Sequence, residues 1–101
     1  MASGGRREEM DARIKQWEHD LERVRLSLAR APEEVHARWN ADFITLYRQK
    51  EVVKSAWEAI RGVYQVEPAA AKRFEEALAA MEGAWSAAQT MLAEVFAREA
   101  A

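Results

Sequence analysis

The sequence predicts an all-α fold, an antiparallel up-down-up three-helix bundle or coiled coil, and three observations carry that prediction. Apolar residues make up 50% of the chain and charged residues 32%, with Ala, Glu and Arg prominent, which is the composition of long packed helices. The chain holds 2 prolines, Pro32 and Pro68, and each is followed by helix formers, as suits proline at the first position of a helix. In the first and last thirds, apolar residues recur in alternating steps of three and four, the period of a helix buried along one face. A length of 101 residues fits one domain. The expected organisation is a disordered tail over residues 1–5 and a single domain over 6–101, with helices at about 6–30, 33–65 and 68–98.

The opening run Met1-Ala2-Ser3-Gly4-Gly5-Arg6-Arg7 has no apolar stretch, so it reads as a frayed tail rather than a secretory signal. The first helix carries Met10, Ile14, Trp17, Leu21, Val24, Leu28 and Ala31 on one seam. Ala31-Pro32-Glu33-Glu34 then starts the second helix and places two carboxylates at the positive end of its dipole. The apolar face of that helix runs through Val35, Trp39, Phe43, Leu46, Val53, Trp57, Ile60 and Tyr64, and Arg48-Gln49-Lys50-Glu51 interrupts it. Lys50 should form a polar layer, its stem packed and its ammonium reaching water. Gly62 is a place where this helix can fray. Glu67-Pro68 repeats the starting device, with Glu67 as the candidate cap. The third helix buries Ala71, Phe74, Leu78, Met81, Trp85, Ala88, Leu92 and Val95, broadened by Phe96.

Short connections make sequential helices antiparallel. Counting equal distances from each proline places Leu21 beside Phe43 and Leu92, Trp17 beside Leu46 and Ala88, and Met10 beside Val53 and Met81. On the same count Trp57, Leu78, Ile60 and Phe74 lie opposite residues 3–7, which supply no apolar cover. The far end of the second and third helices should then stay partly open, and Trp57, Ile60, Tyr64, Phe74 and Leu78 form the candidate interaction surface, aromatic as binding hot spots are. The alternative is that these two helices close on each other there.

No catalytic, cofactor-binding or metal-binding residues are expected. With 0 cysteines there is no disulfide, thiolate ligand or Cys nucleophile. His19 and His36 fall on different helices, neither with a second ligand at metal spacing. Adjacent carboxylates such as Glu8/Glu9, Glu33/Glu34 and Glu75/Glu76 point about 100° apart on a helix and cannot share a proton. Spacing of four suggests ion pairs instead: Glu9 with Arg13, Asp11 with Lys15, Glu34 with Arg38, Lys72 with Glu76. Neither Ser3-Gly4-Gly5 nor Glu82-Gly83-Ala84 has the lysine and strand that a phosphate loop needs. A net charge of −2 and an acidic last third argue against nucleic acid, and the best basic cluster, Arg23, Arg25 and Arg30, is interleaved with Asp20 and Glu22. No window approaches the roughly 20 apolar residues of a membrane span.

Met10-Asp11-Ala12-Arg13-Ile14-Lys15-Gln16-Trp17, a charged middle helix, and Phe74-Glu75-Glu76-Ala77 with Trp85 eleven residues after Phe74 together resemble small bacterial coiled-coil stress-response proteins. This chain departs from that pattern with Phe74 in place of the usual Trp, with the Pro68 break, and with Arg used more than Lys. The resemblance implies a cytoplasmic, stress-linked or scaffolding role and no catalytic residues. The expected function is a non-catalytic structural or protein-interaction module that contacts itself or a protein partner through the open hairpin end. The alternative is a peripheral lipid- or granule-surface-binding amphipathic helical protein, with the Phe/Leu/Met/Trp stripe of the third helix at a membrane surface.

Overall fold

The computed structural model describes the backbone of residues 2–100 and the side chains of residues 6–100. The described residues are all-helical: α1 (Ala2–Arg30), α2 (Glu33–Glu58), α3 (Pro68–Ala87) and α4 (Gln89–Ala100). None of these helices is long and apolar enough to cross a membrane. Helix α1 begins at Ala2, so most of the segment expected as a tail has helical backbone; Met1 lies outside the described residues. Once nucleated, a helix extends at one hydrogen bond per residue fixed, and no proline stops it there.

The other helix boundaries differ from the expected ones in two places. Helix α2 ends at Glu58 instead of near residue 65. Gly62, the β-branched Val63 and Val66, and the bias of residues before Pro68 against helical angles each weaken continuation. The third expected helix is broken at Ala88 (φ −91°, ψ 6°) into α3 and α4. The Ala88 N–H donates to both the Ala84 and Trp85 carbonyls, at 3.0 and 3.2 Å. The Gln89 side-chain amide also donates to the Trp85 carbonyl, at 3.0 Å. A side chain entering the hydrogen-bond ladder is a recognised cause of helix bending.

Helix α1 packs against α2 and α4, and α2 packs against α3. Cross-helix bonds fix the directions. Asp11 meets Trp57 and Arg61, while Glu18 meets Lys54, so α1 and α2 run antiparallel. Arg13 meets Glu82 and Arg23 meets Glu99, so α1 runs parallel to the α3 and α4 pair. The molecule extends 49 × 25 × 18 Å, its long axis set by α1, since a helix of 29 residues spans about 44 Å.

The core lies along this axis. It takes Ile14, Trp17, Leu21, Val24 and Leu28 from α1, Leu46 and Val53 from α2, and Ala77, Met81, Met91, Leu92 and Val95 from α3 and α4. Each large side chain buried this way contributes roughly 1.5–3 kcal/mol before entropy is set against it. The Met and Leu stripe of the last third is thus spent inside the protein.

Three detailed expectations are corrected. Lys50 is buried more deeply than a stem-in, head-out lysine: its side chain is 5% exposed, and Nζ lies 2.6 Å from Glu51 Oε1 and 3.7 Å from Glu18 Oε2, 4.3 Å from the centre of the Tyr47 ring. Lys72–Glu76 forms as spaced, at 3.8 Å, but Asp11, Arg13 and Arg38 bond across helices to Arg61, Glu82 and Glu94. Finally, Asp11 faces Trp57 where equal counting set Met10 beside Val53, a displacement of about one turn. The count presumed helix ends that meet level, and α1 and α2 meet with an offset.

Candidate interaction surface at the end of α2 and α3

Past Glu58 the backbone keeps a helical turn before it opens out. Ile60 and Arg61 donate to the Trp57 carbonyl at 3.0 and 2.9 Å, and Val63 donates to the Ile60 carbonyl at 3.1 Å. Residues 63–67 then lie outside any helix. Glu67 occupies the N-cap position of α3 in extended geometry, but its side chain makes no capping bond.

The one-turn offset brings α1 over this end. Trp57 Nε1 donates to Asp11 Oδ1 at 2.7 Å. Arg61 grips the same carboxylate with two nitrogens, Nε to Oδ1 at 3.0 Å and Nη2 to Oδ2 at 2.5 Å. Such a two-point guanidinium contact is among the stronger polar contacts a protein makes. The Arg61 bond first, then the Trp57 bond, holds the Asp11 carboxyl below the usual carboxylate range, and the same pairing pushes the Arg61 guanidinium up.

The five candidate residues differ in how far they are covered. Trp57 and Phe74 stack at a tilt of 39° with ring centres 5.1 Å apart, and both pack against the core, as does Leu78. Ile60 is half-buried beside them in sequence but outside the core cluster. Tyr64 stands apart at 98% exposed. Asp11 therefore latches the end that residues 3–7 were expected to leave open, and the apolar surface still exposed lies further along, in the loop.

Val63 and Val66 flank Tyr64 and are also exposed; they are absent from the sequence-derived set. A readable signal for them exists: Val63-Tyr64-Gln65-Val66 between Gly62 and Pro68 is a β-branched and aromatic run bounded by breakers. A second apolar feature also went unread, a groove of about 680 Å³ between α2 and α3, bordered by Val52, Ala56, Ala59, Ala77 and Arg73. Val52 is 51% exposed there. His19 and His36 are both exposed, on different helices. Comparison of the chain with family models, curated proteins and solved structures finds no match.

Proposed function

We propose that this chain is a non-catalytic interaction module: an antiparallel bundle of three rods, α1, α2 and α3 continued by α4, that presents the Gly62–Glu67 loop to a protein partner. One observation carries the reading. Tyr64 is 98% exposed, flanked by exposed Val63 and Val66, in a loop whose other end is fastened by Trp57, Arg61 and Asp11. An aromatic side chain held in water on a braced loop contributes little to the fold, whereas large amphipathic aromatics dominate binding contacts. The non-catalytic part of the proposal rests on how the charges are used. Asp11, Glu18 and Glu99 each face a Lys or Arg distant in sequence at 2.5–2.9 Å, which suits holding the rods together better than moving protons. A cytoplasmic, stress-linked setting is part of the same proposal and rests on the family resemblance.

A photoreactive benzoylphenylalanine placed at position 64 in the native cell tests the reading, with position 25, exposed on α1, as the control. Irradiation should give a discrete adduct from position 64 and none from position 25. Absence of any adduct at 64, or the same smear from both sites, would reject the loop as a contact.

A further inference from the structure

The exposed loop and the groove belong to the same pair of helices. Three alanines, Ala56, Ala59 and Ala77, line the groove together with Val52 and Ser55. Small side chains leave a hole of the kind an aromatic ring fills. The loop is the matching projection, and Tyr64, at 98% exposed, does not sit in its own groove.

The charges match as well. Two carboxylates border the groove, and each has a lysine: Glu51 lies 2.6 Å from Lys50 and Glu76 lies 3.8 Å from Lys72. Arg73, on the same border, makes no ion pair among the described residues, and neither does Glu67, the one charged residue of the 62–67 loop. The projection thus carries an unmatched negative charge and the hole an unmatched positive one.

We propose that a second copy of this chain is the partner: two molecules pair about a two-fold axis, Tyr64 of each enters the Val52/Ala56/Ala77 groove of the other, and Glu67 of each meets Arg73 of the other. The inference rests on the loop being a contact surface, and it adds who makes the contact. Two-fold pairing requires a self-complementary patch, and a projection beside a hole of opposite charge supplies one. A Tyr side chain covers at most about 250 Å², so the paired area falls below the roughly 1,200 Å² of stable complexes, and the dimer is weak and reversible.

Sedimentation equilibrium on the full chain, from micromolar to about 0.5 mM, reads this directly. Wild type should show a reversible monomer–dimer equilibrium. Glu67→Arg alone and Arg73→Glu alone should each weaken it about tenfold or more, since each opposes like charges twice across the axis. An equimolar mixture of the two variants should recover dimer as a heterodimer, and so should the double variant. Tyr64→Ser should weaken pairing with helicity unchanged. A wild type that stays monomeric throughout, or a mixture no more dimeric than its components, would overturn the proposal. If wild type is monomeric while position 64 crosslinks to a protein of a different mass, only the self-pairing falls; if position 64 gives no adduct, the loop reading falls with it.

Discussion

Replacing Lys50 separates two contributions that its burial combines, the packing of a long stem and the placement of a charge. The stem carries four methylenes, each worth about 0.8 kcal/mol when buried, so roughly 3 kcal/mol of apolar stabilisation is at stake. Removing the ammonium from water costs several kcal/mol. Against this stand the Glu51 and Glu18 contacts at 2.6 and 3.7 Å, with Glu51 49% exposed and Glu18 33% exposed. Attractions screened to that degree contribute about 1–4 kcal/mol, so the charge nets close to zero. Lys50→Met keeps the stem volume and deletes the charge. It strands no buried partner, because Glu18 retains Lys54 at 2.9 Å and Glu51 reaches solvent. The expected change is within about 1 kcal/mol of wild type, whereas Lys50→Ala should lose about 2–3 kcal/mol. Urea unfolding followed by circular dichroism at 222 nm measures both. If the methionine variant lost as much as the alanine variant, the ion pairs would be the stabilising element and the reasoning would fail.

Three other outcomes follow from the geometry. Gly83 lies inside α3 with nothing within 4 Å of where a Cβ would sit, so Gly83→Ala should add about 1 kcal/mol and raise Tm by roughly 4–8 °C; a lower Tm in a thermal melt would contradict the open space. Met81 is completely buried, and Met81→Ala should cost about 2–5 kcal/mol, read as a lower urea midpoint at unchanged slope; a loss under 1 kcal/mol would mean the site collapses to fill itself. Asp11, Glu22, Glu51 and Glu99 are all held below the usual carboxylate range by Arg61, Arg25, Lys50 and Arg23. Their stabilisation is complete above the unfolded-state value near 4 and is lost as pH falls through the lower folded values. Stability measured by urea midpoints should therefore be level above about pH 5 and fall below it, less steeply in Asp11→Asn; an identical acid limb in that variant would rule out the Asp11 contribution.

Much of the helical architecture is legible in the residue pattern, and the seam of α1 shows why. Ile14, Trp17, Leu21, Val24 and Leu28 are all buried, because a long uninterrupted period of three and four leaves only one way to turn the helix. The break at Ala88 is not legible in that pattern. It coincides with a Gln89 amide reaching a carbonyl one turn back, a choice among local bonds that leaves the apolar period intact. The candidate surface is legible only in part. Trp57, Phe74 and Leu78 belong to the buried face as their spacing says, but counting from prolines has no access to the helix offset that puts Asp11 over Trp57. Val63 and Val66 lie past the end of α2, outside any helix, and so escape a reading built on helical period alone.

The indole of Trp57 is bonded to Asp11 near one end of α2, and the indole of Trp39 is bonded to Glu94 near the other. A shaft pinned at both tips resists shear differently from one held only by grease. Sliding α2 lengthwise by a single turn, about 5.4 Å, would tear both pins together.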